Sequence, residues 1–368
     1  MITYCTNIHP GESWNETFSA LRHHLPVIKA DFSPAEPFPV GLRLSRRAAG
    51  ELDDAAESRF LEWLQQHQLF VPTINGFPYG SFHSVPVKKQ VYLPDWRQQE
   101  RADYTMRLAT LLDRWLPHGV PGSISTVPVG FRSCILEEDM AVIRSNLLHT
   151  LEHLDHLRQK SGKVIMLSLE PEPGCLLETT GDIITFFERM NFPDTMRLAF
   201  GVCLDSCHQA VEFENPTECL TQLRSAGIGI GKVQVSSALR LFEPELTFLE
   251  GFCEPVYLHQ TIIRDQDGKL RHYDDLPLAL RDHPRGQGEE WRIHFHIPLF
   301  VEQLPQYGTT RYFVESLLPL LDETVLLEVE TYTWEVLPTE LRAESVDHSI
   351  IRELHWLKGQ RDETNRYP

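Results

Sequence analysis

Eight short apolar runs recur along this chain, at residues 2–7, 40–44, 69–74, 123–127, 163–169, 196–204, 229–235 and 324–329. Segments with helical periodicity separate most of them, near residues 12–28, 53–68, 98–115, 138–160, 181–190, 216–226 and 310–321. In 53–68, Phe60, Leu61 and Leu64 share one helical face, the mark of a helix packed on a core. Short apolar runs bounded by turn residues read as buried strands. Strands alternating with helices predict an α/β protein with a parallel sheet, and eight such units predict a (β/α)8 TIM barrel. Barrels of this kind run past about 250 residues as single units. The 368 residues are therefore read as one domain, 1–368.

Two segments exceed a minimal barrel. The long loop after strand three, residues 75–96, is punctuated by Gly and Pro and is long enough to serve as a lid or substrate loop. An insertion at the barrel rim, residues 238–300, follows strand seven. Within it, Asp267-Gly268 marks a turn between two extended arms, which predicts a β-hairpin. The insertion ends in the histidine-bearing run WRIHFHIPLF.

Charge narrows the partners. Thirty-four basic and 52 acidic side chains give a formal charge of −18, which repels a phosphate backbone and argues against nucleic acid. Arg43, Arg46, Arg47, Lys88, Lys89 and Arg132 are either solvated surface charges or a local site for a small anion. Seven scattered cysteines form no disulfide framework or zinc knuckle and predict reduced thiols in a cytoplasmic protein. No run of eighteen apolar residues occurs, so no membrane span is expected.

In a TIM barrel the carboxyl ends of the strands open into one mouth, so polar residues there are the active-site inventory. Strand one ends with Asn7 and His9, and strand three with Asn75, with His83 beyond it. Strand five runs into Glu170-Pro171-Glu172, strand six ends on Asp205 with His208 three residues on, and strand seven offers Gln234. His294 and His296 lie on one face of an extended run, as do Glu328 and Glu330 of strand eight. Asp-x-x-His alone also fits a helix N-cap followed by a first-turn histidine. Carboxylates directly after apolar strands are costly to bury unpaired, and a metal ion supplies the partner. Mixed oxygen and nitrogen donors suit Mn²⁺, Zn²⁺, Mg²⁺, Co²⁺ or Fe²⁺, and spacing does not choose among them.

For single residues other roles compete. Glu172 reads as exposed in a Pro-rich turn, Glu328 as paired with an arginine inside the barrel, and His259 and His272 as hairpin decoration. Phe77, Trp96 and Trp334 are candidates for an apolar wall or for core packing. The choices between Glu170 and Glu172, and between Glu328 and Glu330, stay open at this stage.

GVCLDSCHQA resembles the strand-six signature of the xylose-isomerase-like and endonuclease IV-like barrel superfamily, Leu169-Glu170 its strand-five glutamate, and Val329-Glu330-Thr331 its final glutamate. His294-Phe295-His296 stands in the place of its Asp-x-His element. Over nearly the full length, with CTNIHPGESW, NGFPYGSFH, LEPEPGCLLET and LEVETYTWEVLP among the shared segments, the chain is similar to EboE-type metabolite-traffic proteins. The superfamily implies a divalent metal held by Glu170, Asp205, His208 and Glu330. Gln234 stands where the superfamily has a histidine, and His294 where it has an aspartate. Both departures, with the acidic charge, speak against an abasic-site nuclease.

The expected metal ligands are thus Glu170, Asp205, His208, Gln234, His294, His296 and Glu330, with Glu170 and Glu330 as the catalytic proton-transfer groups. Asn75, His83, Arg132 and His259 are the substrate-binding candidates. The expected activity is a metal-dependent sugar or sugar-phosphate isomerase or epimerase acting through an enediolate. A non-catalytic protein that binds and delivers a metabolite is the alternative, and a metal-dependent hydrolase the third reading.

Overall fold

The structure, a computed structural model, describes residues 1–83, 86–283, 288–304, 307–342 and 345–366. Seven parallel strands come first: β1 (Ile2–Tyr4), β2 (Phe38–Arg43), β3 (Leu69–Asn75), β4 (Gly122–Thr126), β5 (Ile165–Leu169), β6 (Phe200–Asp205) and β7 (Gly229–Val235). Six strands of a second sheet follow: β8 (Ser237–Phe242), β9 (Thr261–Arg264), β10 (Leu270–Tyr273), β11 (Glu290–Ile297), β12 (Gln303–Leu304) and β13 (Tyr307–Thr309). The chain then returns to the first sheet as β14 (Leu327–Val329), which pairs in parallel with both β1 and β7. The order β1-β14-β7-β6-β5-β4-β3-β2 makes a nearly closed eight-stranded barrel with helices around it.

The seam between β1 and β2 shows how the barrel closes. One backbone bridge joins Cys5 and Gly41, and threonine side chains supply the remaining contacts. Thr3 Oγ1 donates to the Pro39 carbonyl (2.6 Å) and accepts from Gly41 N (3.2 Å), while Thr6 Oγ1 accepts from Arg43 N (2.9 Å). Gly41 permits this approach, since a Cβ there would lie 2.6 Å from the Tyr4 carbonyl oxygen and would overlap Glu328.

Helix boundaries follow capping chemistry. Ser13 and Glu16 form a capping box at the start of the helix Trp14–Phe32, and Thr179 and Asp182 do the same for Thr180–Met190. A carboxyl-terminal helix, Val346–Arg366, lies outside the eight-unit sequence reading and adds Ile350, Leu354 and Leu357 to the barrel core. Among the described residues no helix is long and apolar enough to cross a membrane, and all seven cysteines are free.

Two sequence expectations need correction. Residues 194–199 form a 3-10 helix, so β6 starts at Phe200 and not at 196. Of the apolar residues in that stretch Ala199 is buried and Met196 packs against the core, but Leu198 is 60% exposed. The expected hairpin at Asp267-Gly268 exists as β9 and β10, but it is one edge of a six-stranded antiparallel sheet, β10-β9-β11-β8-β13-β12. Strand alternation explains why WRIHFHIP sits within that sheet. Trp291, Ile293, Phe295 and Ile297 pack into a second apolar core with Leu239, Phe252 and Leu276. A register irregularity between Ile293 and His296 accompanies the presentation of His294 and His296 at the barrel mouth.

Candidate metal centre at the barrel mouth

Asp205 satisfies both readings of its motif, each with a different oxygen. Its Oδ1 caps the following turn, accepting from Cys207 N (2.7 Å), His208 N (3.1 Å) and Ser236 Oγ (2.8 Å). Its Oδ2 is buried and has no hydrogen-bond partner among the described residues. Glu170 Oε2 and both amide atoms of Gln234 share that condition. Gln234 lies beside Asp205 and Glu328 in strand register, so its unpartnered amide oxygen keeps it a candidate ligand.

Three histidines make the second half of the site. His208 Nδ1 is bonded to the Pro171 carbonyl (2.8 Å), His294 Nδ1 to Gln260 Oε1 (2.8 Å) and His296 Nδ1 to the Glu330 carbonyl (2.6 Å). Each partner oxygen only accepts, so each Nδ1 carries a proton, and each ring in its neutral form presents a lone pair at Nε2. These Nε2 atoms face one another, 3.1 Å apart between His208 and His294 and 3.2 Å between His294 and His296. Facing lone pairs repel unless a cation lies between them. Two nitrogens sharing an ion at about 2.1 Å lie about 3.0–3.4 Å apart over octahedral to tetrahedral angles, so the spacing fits a metal. The Nδ1 bonds fix tautomer and ring orientation in the manner of supported metal ligands.

Oxygen and nitrogen donors group around Asp205. Ligand atoms of Glu170, Asp205 and Glu330 lie within 4.8 Å of one another, as do those of Asp205, His208 and His296. Glu172, His208 and His294 form a further group, and Cys207 is equally close to His294 and His296. Glu172 is therefore not the exposed turn residue its Pro-rich context predicts. It is 6% exposed, and its Oε1 accepts from the Tyr92 hydroxyl (2.8 Å) and Gln260 Nε2 (3.2 Å).

Beneath the site Glu328 pairs with Lys232, both fully buried, where an arginine was expected. That pairing separates Glu328 from Glu330, whose Oε1 accepts from Asn7 Nδ2 (2.7 Å) and Asn75 Nδ2 (3.1 Å). Glu170, Glu172, Asp205, Glu328 and Glu330 are all buried here, and Lys232 is the lysine placed among them. The excess of negative charge calls for further cations.

Titration reflects the imbalance. Burial, only partly opposed by Lys232, pushes Glu170 up to about 7, and burial with the Glu170 and Asp205 charges raises Glu330 well above the carboxylate range. Burial pulls His208 down, but Asp205, Glu172 and Glu170 outweigh it and raise its pKa. Burial and the neighbouring imidazoles depress His294, while burial takes His296 to about 4 against the pull of Asp205. Near neutral pH the histidines 294 and 296 are thus free to ligate, and the carboxyls hold protons that a metal must displace. Zinc binding at pH 6.5 is expected to release at least one proton per site, with affinity rising as pH rises through about 7. Calorimetry in buffers of different ionisation enthalpy checks this. Binding at pH 6.5 without proton release would contradict it.

A cleft partly open to solvent lies over the site, and Asn75, Glu170, Glu172, His208, His294 and Glu330 line its floor. Three substrate-binding candidates are not in that lining. Arg132 is tied to Glu178 (2.8 Å) and Asp182 (3.1 Å) on the outer surface. His259 lies behind His294, between the His294 carbonyl (2.9 Å) and Glu254 (2.9 Å), and supports the strand that carries the ligands. His83 packs near Arg43, where burial and that guanidinium lower it to about 4, and its neighbour Phe82 lines the cleft instead. Of the wall candidates, Phe77 lines the cleft, whereas Trp96 is fully buried in the barrel core. Asn7, Tyr92, Gln260 and Tyr332 are additional site residues. Only Asn7 had a sequence signal, as the last residue of the first apolar run.

No protein-family model matches the chain, and no curated protein matches its sequence. Among solved structures it is similar to IolI protein with a bound zinc atom, at 15% identity, with 99% of this chain and 98% of that chain covered and a TM-score of 0.53. It is similar to a xylose isomerase-like TIM barrel protein from Mycobacterium smegmatis in complex with magnesium, at 12% identity, 99% and 97% coverage and a TM-score of 0.55. L-ribulose 3-epimerase is similar at 12% identity, 100% and 95% coverage and a TM-score of 0.51. At such identities the likeness is one of fold, and the chain has the fold of the xylose isomerase-like TIM barrels.

Proposed function

We propose that this protein is a divalent-metal-dependent isomerase or epimerase, acting on a small molecule with adjacent carbonyl and hydroxyl oxygens. The observation that carries this is the meeting of the Nε2 atoms of His208, His294 and His296 with unpartnered carboxylate oxygens of Glu170 and Asp205 at the barrel mouth, under a cleft that His208, His294 and Glu170 line. Asp205, His208, His294 and His296 would hold the metal, with Glu170, Glu330 and Gln234 on its oxygen side. When bound, the metal supplies the Lewis-acid charge that acidifies the carbon next to a substrate carbonyl. Glu330 is anchored through Oε1 by Asn7 and Asn75, which leaves Oε2 to take a proton from that carbon. Glu170, whose Oε2 is buried without a hydrogen-bond partner among the described residues, would be the second carboxyl that exchanges a proton with that carbon. Tyr92 and Gln260 hold Glu172 in place behind the histidines. Similarity to an epimerase and to metal-bound barrels is consistent with this chemistry.

The expected result is deuterium uptake from D₂O at the carbon next to the carbonyl of an α-hydroxy ketone by metal-loaded protein. It should fall about 10²–10⁴-fold in Glu170→Gln and in Glu330→Gln. Metal and ligand binding with no exchange in the unaltered protein would sink the isomerase. That result supports the second reading, a protein that binds and delivers a metabolite in an EboE-type traffic pathway. The apolar upper walls of the cleft favour that reading.

A further inference from the structure

The carboxylates and imidazoles of the cleft lie on its floor, where the barrel strands end, and higher up the described polar groups are the hydroxyls of Tyr92, Tyr257 and Tyr332 and the ammonium of Lys88. The upper walls of the cleft come from three segments far apart in sequence. The loop after β3 supplies Phe77, Phe82 and Val87, the run before β9 supplies Tyr257 and Leu258, and Tyr332 follows β14. Phe82, Tyr257 and Tyr332 close on one another, with ring centroids 5.2 Å, 5.3 Å and 4.9 Å apart. Phe82, Val87 and Tyr257 belong to a small apolar cluster separate from the barrel core and from the core of the second sheet. Tyr332 links wall to floor, its hydroxyl 3.4 Å from His294 Nε2. Lys88 is the one cation among the described lining residues, and it is bound to Asp275 (2.7 Å) and to the Glu254 carbonyl (3.2 Å).

We infer that the substrate carries an apolar, aromatic arm beyond its chelating oxygens, and is neither a bare polyol nor a sugar phosphate. This rests on the proposed metal site and specifies what lies above it. A substrate chelated on the floor must direct its remaining atoms at these rings. A hydroxyl placed against the ring faces of Phe77, Phe82, Tyr257 and Tyr332 loses water and meets mainly carbon, which weakens binding about tenfold or more. A phenyl group there buries apolar area and meets ring faces and edges that favour it. A phosphate would meet the three buried acidic side chains of the floor, Glu170, Glu172 and Glu330, and no free ammonium among the described lining residues.

Three probes share the head CO–CH₂OH and differ only in the tail: 2-hydroxyacetophenone, erythrulose and dihydroxyacetone phosphate. The test is calorimetric titration of the metal-loaded full chain with each, after its metal content has been measured. The expected result is at least tenfold tighter binding of 2-hydroxyacetophenone than of erythrulose, with the phosphate weakest. In Phe82→Ala and in Tyr257→Ala the ratio should fall toward one while metal content stays unchanged. Erythrulose or the phosphate binding as tightly as the aryl ketone to unaltered protein overturns the inference and leaves the metal site standing. Failure to load metal overturns the underlying reading instead. Because the unaltered protein alone decides between probes, a variant that fails to fold does not rescue the inference.

Discussion

Replacing Asp205 with asparagine is expected to weaken divalent-metal binding by about 100-fold or more while leaving the fold intact. The two oxygens of Asp205 divide the work. Oδ1 caps the turn after β6 through Cys207 N and His208 N, and an asparagine oxygen accepts the same bonds. Oδ2, buried without a partner, becomes an amide nitrogen with no lone pair to offer a cation. Asp205 belongs both to the carboxylate group with Glu170 and Glu330 and to the group with His208 and His296. One substitution therefore removes a donor common to both. Equilibrium dialysis with zinc and with manganese reads the affinity, and thermal melting of the metal-free protein reads the fold. Wild-type affinity in Asp205→Asn would exclude it as a ligand.

Lys232→Met is expected to destabilise the protein by about 3–5 kcal/mol, the usual cost of stranding a buried charge. Burial opposes the charge of Lys232, but Glu328 above all holds its pKa raised. Both side chains are fully buried beneath the metal site, where Lys232 holds Glu328 Oε2 and Oε1 has no hydrogen-bond partner among the described residues. Removing the ammonium leaves Glu328 below a floor already crowded with carboxylates. Adding Glu328→Gln in the same chain should recover most of the loss, because the neutral amide no longer needs a counter-charge. Urea unfolding of the single and double variants measures both effects. Equal stability of Lys232→Met and wild type would show that the pair is not needed.

What was legible in the sequence tracks what is local. Eight apolar runs and their intervening helices identified the barrel because strand and helix periods are set by neighbouring residues. Glu170, Asp205, His208 and Glu330 stood out because carboxylates after apolar strands are costly to bury without purpose. The odd and even faces of WRIHFHIP are readable as alternation, but its partner strands are Ser237–Phe242 and Thr261–Arg264, and no local pattern announces such pairing. Glu172 was misplaced for a related reason. Its turn folds back through Glu172 N to the Leu177 carbonyl (3.0 Å), and its partners Tyr92 and Gln260 come from distant loops. The aromatic wall is likewise assembled from three separate loops. Arg132, an apparent anion contact by charge alone, is neutralised by acids that only the fold brings beside it.

The most direct measurement is anomalous diffraction from crystals of the zinc-loaded protein, collected across the zinc absorption edge. The expected result is a peak at the barrel mouth within bonding distance of Nε2 of His208, His294 and His296 and of Asp205 Oδ2. A peak confined to the outer cluster of Glu178, Glu212 and His272, or no peak in the cleft, would contradict a metal centre at the barrel mouth.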